Sequence, residues 1–237
     1  MTRRRWIADE VSGNKAALTG DHADHLVRVL RARVGQEFDL ATGTTVRRGC
    51  IVSVADGRVE FQLGEEVASA PILHVTLLLS IFKFDRMEWA IEKCTELGVS
   101  RIIPVIARRS DSHLVAASAK RVERWRRIAL EASEQARRAS PPEVVAPVKL
   151  QDAMHQPTGL KIVLSEEEKQ ASLSDLLEAH EDAAEVVLAL GPEGGWAEEE
   201  LQNFAKAGWM SGSLGSTILR AETAAIAATA IVISRPM

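Results

Sequence analysis

A chain of 237 residues, 46% hydrophobic and 26% charged with a formal net charge of -4, is long enough for one large domain or for a small domain joined to a medium one. No run of about twenty apolar residues is present to span a bilayer, and Met1 to Glu10 carries Arg3, Arg4 and Arg5 without the apolar stretch of a signal peptide, so a cytoplasmic protein is expected. Cys50 and Cys94 form no C-x-x-C and lie far apart, which argues against a disulfide framework or a zinc site and leaves two reduced, semi-buried thiols.

In chain order, Gly20 to Arg33 reads as a helix that Thr19 or Asp21 can cap, with Leu26, Val29 and Leu30 on one side and Arg28 and Arg31 projecting elsewhere. Its His22 and His25 are spaced for a shared metal, but no third ligand is evident and none is expected. Phe38 to Leu63 reads as short strands broken at Ala41 to Thr44 and at Ala55 to Arg58, the hairpin pattern of a small barrel. Gly64 to Pro71 lacks apolar periodicity and ends in proline, which predicts a linker between a domain over 1–68 and another over 72–237.

Beyond the linker, apolar runs alternate with longer amphipathic segments, the signature of a parallel sheet covered by helices. Strands are predicted at Leu73 to Ser80, Ile102 to Ile106, Lys161 to Leu164, Glu185 to Leu190 and near Ser213. Helices are predicted at Asp85 to Leu97, Ser118 to Arg138, Leu173 to Ala179, Ala197 to Ala207 and Glu222 to Ser234. Trp89 and Trp125 fall on helices and read as core or dimer packing; Trp196 is left open. Charge is lopsided: Arg101 to Pro142 holds ten Arg and Lys against four acids, whereas Leu150 to Ala205 holds two Lys against thirteen Asp and Glu. A polyanion responds to the local field, so the overall acidity does not exclude RNA.

Two segments carry chemistry. Val186 to Gly195 is a buried strand running into Gly191, Gly194 and Gly195, and ligands of open parallel sheets bind beyond the carboxyl ends of strands. It is not G-x-G-x-x-G, and Pro192 removes an amide that would cradle a pyrophosphate; an ordinary strand-to-helix turn reads equally well. Leu214 to Ala224 inserts Arg220, Glu222 and Thr223 among apolar residues before a helix, where they must be paired, cap the helix or serve a ligand. For Glu222 and Thr223 helix-start chemistry reads as well as a ligand role, whereas Arg220 is harder to explain that way.

Together these segments resemble the RsmE branch of the SPOUT methyltransferases. Gly191-Pro-Glu-Gly-Gly195 is followed by Leu214-Gly-Ser-Thr-Ile-Leu-Arg-Ala-Glu-Thr-Ala224, and the likeness continues through Lys83 to Val99, Arg124-Trp125 with Glu131 to Arg138, and His25 to Arg31 with Gly35. The resemblance implies an α/β fold: a SPOUT trefoil-knot methyltransferase domain with a parallel sheet, preceded by a small PUA-like β-barrel domain. It implies a homodimer that methylates uridine N3 of 16S ribosomal RNA, free or in the small ribosomal subunit, with S-adenosyl-L-methionine. Cofactor contacts carry onto Leu164, Ser165, Glu166, Leu190, Gly191, Pro192, Glu193, Gly194, Gly195, Leu214, Gly215, Ile218, Leu219, Arg220 and Thr223. RNA contacts fall on His25, Arg28, Arg31, Arg86, Arg108, Arg109 and Arg138.

The chemistry requires the N3 proton to leave, which assigns Arg220 to stabilising charge on a uracil oxygen and Glu222 to accepting the proton. Thr217 and Ala221 depart from the family's usual basic residue and Thr, which bears on RNA affinity. Two other outcomes stay open: a methyltransferase of a ribose 2'-hydroxyl or another RNA, and a non-catalytic RNA-binding assembly factor. A nucleotide-dependent oxidoreductase lacks the glycine spacing.

Overall fold

The computed structural model describes residues 5–43, 45–55, 57–67, 73–155 and 158–235. The chain divides into two compact units, Met1–Ala70 with Ser133–Pro141, and Pro71–Ala132 with Pro142–Met237. The return of 133–141 to the first unit has no counterpart in the sequence reading, which places the boundary at one linker. Arg3, Arg4, Thr44, Asp56 and the end of that linker, 68–71, lie outside the described residues.

The first unit opens with β1 (Arg5–Ile7), β2 (Glu10–Ser12) and β3 (Lys15–Thr19), then α1 (Gly20–Asp24) and a π-helical turn (His25–Val29). Strands β4 (Glu37–Ala41), β5 (Val46–Ala55) and β6 (Arg58–Glu66) follow. The sheet runs β1-β4-β5-β6-β3-β2, open at β1 and β2, so the expected barrel is a half-barrel over Leu18, Leu26, Leu40, Ile51, Val59 and Phe61. The β2–β3 hairpin turns on Gly13-Asn14 with Gly13 at φ +57°, a glycine-first two-residue signal the sequence reading passed over.

Three expectations for this unit are corrected. Thr19 stands at the start of α1 but its side chain caps nothing; its N–H donates instead to Asp9 Oδ2 at 2.8 Å. The helix ends near Leu30 rather than Arg33: Leu30 N–H reaches back to the His25 carbonyl, and Arg31 adopts φ +54°. That wider turn advances each residue by a smaller angle, which rotates Val29 off the apolar stripe and leaves it 63% exposed. Finally, Gly64 to Glu66 is strand rather than linker, because β5 is long enough to pair with it and the Arg47 guanidinium donates to the Gly64 carbonyl at 2.8 Å.

The second unit begins with β7 (His74–Ser80), α2 (Phe84–Leu97), β8 (Arg101–Ile106), α3 (Ser112–Ser118), a 3-10 turn (Ala119–Arg121) and α4 (Val122–Gln135). It continues through β9 (Glu143–Val144), β10 (Val148–Lys149), α5 (Leu150–Ala153), β11 (Leu160–Leu164), α6 (Leu173–Glu178), β12 (Glu185–Leu190), α7 (Glu198–Lys206), β13 (Met210–Gly212) and α8 (Ala221–Ile233). The helix expected over Ser118 to Arg138 is α4, which starts at Val122 after the 3-10 turn and ends at Gln135, and α3 ahead of it has no counterpart in the sequence reading. Asp111 caps α3 by accepting the N–H groups of His113 and Leu114, a local signal that starts a helix at Ser112.

All strands of this unit pair in parallel, in the order β10-β8-β7-β12-β11-β13 with β9 beside β8. Both faces are covered, so the strands read as apolar runs: in β12, Val186, Leu188 and Leu190 enter one core while Val187 and Ala189 enter the other. The first core lies under α8, whose Ala225, Ala228, Thr229 and Val232 are buried. Thr229 Oγ1 donates to the Ala225 carbonyl at 2.8 Å and lies 3.5 Å from Cys94 Sγ of α2. No helix of the described residues is long and apolar enough to cross a membrane.

Burial pushes the Cys94 thiol up to about 12. The thiolate is the reactive form, so native protein at pH 8 is expected to leave Cys94 unmodified by iodoacetamide until the unit unfolds. Peptide mass mapping with and without urea checks this, and rapid labelling in the native state would contradict the burial.

Candidate functional site

Adjacent strands β12, β11 and β13 end at one edge of the sheet, at Leu190, Leu164 and Gly212, and their following loops are tied together. Ser165 N–H donates to the Gly212 carbonyl at 3.1 Å, and the Trp196 indole N–H donates to the Leu164 carbonyl at 3.0 Å. Phe204 backs that indole edge-on, at 5.0 Å between ring centroids, and Trp209 backs Phe204 in turn. A Cβ on Gly191 would stand 3.3 Å from Trp196 Nε1, so glycine is what lets the loop lie against the indole. Gly195 closes a turn onto the Pro192 carbonyl at φ +67°, and a Cβ there would meet Glu166 Oε1 at 3.0 Å.

The loops enclose a cavity of about 550 Å³ that also takes Lys83 and Arg86 from the start of α2. Its floor is apolar, from Leu164, Leu190, Trp196, Leu214 and Leu219, while Glu166, Glu167 and Glu193 face it with Lys83, Arg86 and Arg220. That mixture suits a small ligand with an apolar body and charged ends. At the back of the 165–171 loop, the backbone N–H groups of Gln170 and Ala171 hold the Glu168 carboxyl below its ordinary value.

Of the fifteen positions carried onto the cofactor loops, all line this cavity except Gly194 and Thr223. The Gly194 carbonyl instead accepts from Arg109 Nη1 at 2.9 Å, and Thr223 is exposed on α8. Arg220 stands exposed at the head of α8, on the cavity. Glu222 does not line it: the residue is 2% exposed and its carboxylate faces Arg86, which closes it to direct contact with a molecule in the cavity, against the expected role as proton acceptor. The cavity is also lined by Lys83, Arg86, Glu167, Trp196, Leu201, Ser213, Thr217, Ala221 and Ala224, none of which the sequence assigns to the cofactor; of these Lys83 opens the Lys83 to Val99 block and Trp196 follows the glycines directly.

The expected RNA contacts fall in both units. His25, Arg28 and Arg31 are exposed in the first; His25 lies 5.6 Å from the Trp6 ring and Arg28 pairs with Asp24 at 3.5 Å. Arg138 is half-buried, and burial pushes its guanidinium down to about 10. In the second unit Arg108 pairs with Glu199, Arg109 holds the Gly194 carbonyl, and Arg86 lies between Glu193 and Glu222. His22 is held by carboxylates on both ring nitrogens, Asp9 at 2.9 Å and Glu134 at 2.8 Å. No group of three potential metal ligands occurs among the described residues.

Replacing Trp196 with Phe keeps the ring and strands the Leu164 carbonyl. A loss of about 1–3 kcal/mol is expected in urea unfolding of that variant, and an unchanged midpoint would mean the bond does not hold the loop.

The RNA methyltransferase domain family matches residues 68–233. The ribosomal RNA small subunit methyltransferase E of Rickettsia conorii is 32% identical over 234 residues, which cover 97% of this chain and 94% of that protein. Its namesake in Synechocystis is 33% identical over 235 residues, 97% of this chain and 77% of that one. The crystal structure of a ribosomal RNA small subunit methyltransferase E from Neisseria gonorrhoeae, bound to S-adenosyl methionine, aligns at a TM-score of 0.81 and 30% identity, covering 97% of this chain and 96% of that one. With a family match over most of its length and relatives aligned nearly end to end, this chain belongs to the ribosomal RNA small subunit methyltransferase E family.

Proposed function

We propose that this chain methylates uridine N3 in 16S ribosomal RNA with S-adenosylmethionine as donor. The observation that carries the reading is the glycine-walled cavity at the ends of β11, β12 and β13, at the carboxyl edge where open parallel sheets take ligands. Its donor set fits that cofactor. Glu166 and Glu167 complement a molecule bearing an ammonium and a sulfonium, Lys83 or Arg220 complements its carboxylate, and the leucines accept an adenine ring. Side chains at Gly191 and Gly195 would crowd the indole and the Glu166 carboxylate. Family relatives carry the name of a small-subunit rRNA methyltransferase, and one related structure is described as S-adenosyl methionine-bound.

When bound, the cofactor supplies a methyl group on a sulfonium, open to attack by a nucleophile. The chain's residues then have three tasks. The loop backbones fix the reacting geometry, where a small misplacement is costly. Leu164, Leu190 and Trp196 exclude water from one side. Arg220, exposed on the cavity, stabilises the charge that develops on a uracil oxygen as N3 loses its proton. N3 lies on the pairing edge, so the target uridine must be unpaired or turned out of its helix. His25, Arg28 and Arg31 offer exposed contacts for the RNA backbone.

The same reading includes a PUA-like fold for the first unit, a trefoil knot in the second, a cytoplasmic location and a homodimer. The dimer is supported by α8, whose Ile226, Ile231 and Ile233 are only partly covered, and by Trp89 of α2, which is 50% exposed.

Arg220→Ala is expected to lower methyl transfer by about 100-fold or more at saturating donor; near-normal turnover would remove the residue from the chemistry. Gly195→Val is expected to abolish calorimetric binding of the donor, because the backbone there is left-handed and Glu166 fills the space. Primer extension on the modified RNA separates the base from the ribose: a stop marks N3, and read-through marks a 2'-hydroxyl product.

A further inference from the structure

The buried Glu222 has one ion-pair partner among the described residues, and it leads back to the cavity. Its Oε1 lies 3.7 Å from Arg86 Nε, and its Oε2 is buried with no hydrogen-bond donor among the described residues. Arg86 Nη1 in turn lies 3.5 Å from Glu193 Oε1. Arg86 and Glu193 line the cavity and Glu222 does not. Three elements are thereby joined: the start of α2, the loop after β12, and the first turn of α8. A carboxylate buried to this degree is costly without a counter-charge, and a guanidinium is a rigid planar fork. Fixing Nε from beneath therefore sets the direction in which Nη1 meets Glu193.

We infer that Glu222 is a positioning residue which, through Arg86, fixes the Glu193 carboxylate on the cavity wall, and that Glu193 is the group that takes the proton of the attacking nucleophile. The inference rests on the methyltransferase reading above and supplies the acceptor that Glu222 is too buried to be. The geometry favours it in two ways. Glu193 is exposed where Glu222 is closed, and its pairing with Arg86 occupies Oε1, leaving Oε2 for the substrate. Two carboxylates against one guanidinium also leave the trio with a surplus negative charge, which suits an N–H donor and opposes a phosphate. Arg86 is accordingly an internal relay rather than the RNA contact its position in the sequence suggests. In the step itself, N3 takes the methyl carbon with its own electron pair, the former carbon–sulfur pair stays on a now neutral sulfur, and the N3 proton passes to a Glu193 oxygen and on to water.

The test compares Glu222→Gln, Glu193→Gln and the double variant in the full chain. Glu222→Gln is expected to lower kcat about tenfold with KM for RNA and donor affinity changed less than threefold, and also to lower the melting temperature. Glu193→Gln, at an exposed site, should lower kcat at least as far without loss of stability. In the double variant the melting loss from Glu222 should persist while its effect on kcat disappears, because no carboxylate remains to be positioned. A kcat penalty that persists undiminished in the double variant assigns Glu222 a merely structural role and overturns the proposal. A readout independent of turnover is the solvent exchange of the Arg86 Nε–H by NMR, expected to quicken about tenfold in Glu222→Gln. Unchanged exchange overturns the relay even in an enzyme that methylates. Wild-type protein that transfers no methyl group, yet shows this exchange difference, refutes the functional reading and with it Glu193 as acceptor, leaving only the ionic link.

Discussion

The bond from the Trp196 indole to the Leu164 carbonyl is the constraint on which the site's shape depends. It joins the loop after β12 to the end of β11, accepts at a carbonyl on the strand's last residue, and is buried. Consequences run outward from it. Gly191 must be bare because the indole lies over it, Phe204 and Trp209 stack behind to keep the ring edge-on, and the Glu166 carboxylate of the loop after β11 is brought against Gly195. The floor is thus built by a rigid aromatic wedge, and the polar groups are hung from loops whose ends it fixes.

Much of this was legible from the chain alone, for reasons that differ by element. Strand β12 was read at its observed bounds and β7, β8 and β11 within a residue, because a parallel sheet covered on both faces demands unbroken apolar runs. The glycine-bearing loops that line the cavity stand out in the sequence because glycine and proline mark backbone that must do something unusual. What failed was whatever depends on a partner distant in sequence. Gly64 to Glu66 looked like a linker because its hydrogen bonds come from β5, and Val29 looked buried because a regular 3.6-residue period was assumed through a π turn. The assignment of 133–141 to the first unit depends on packing across more than sixty residues of chain, which periodicity does not encode.

Charge was the least legible property. Composition located a basic stretch and an acidic one, yet in the second unit the arginines read as RNA contacts are engaged by protein groups: Glu199, the Gly194 carbonyl, and the Glu193–Glu222 pair. Counting could not distinguish a guanidinium offered to solvent from one that fastens a loop, since both leave the same mark in a sequence. In the first unit His25, Arg28 and Arg31 are exposed where the helix ends, with Arg28 paired to Asp24.

The packing of α8 on α2 has a bearing on how the second unit comes together. Thr229 meets Cys94 across 135 residues of sequence, and the faces they share belong to the main core. Closing so long a loop costs chain entropy before any apolar contact offsets it, so the topology places this unit among the slow folders rather than the fast ones. Until that closure, the alanine- and isoleucine-rich surface of α8 and the face of α2 it covers stay open to other chains. The joint beside the cavity loops is for that interval a surface open to misassociation.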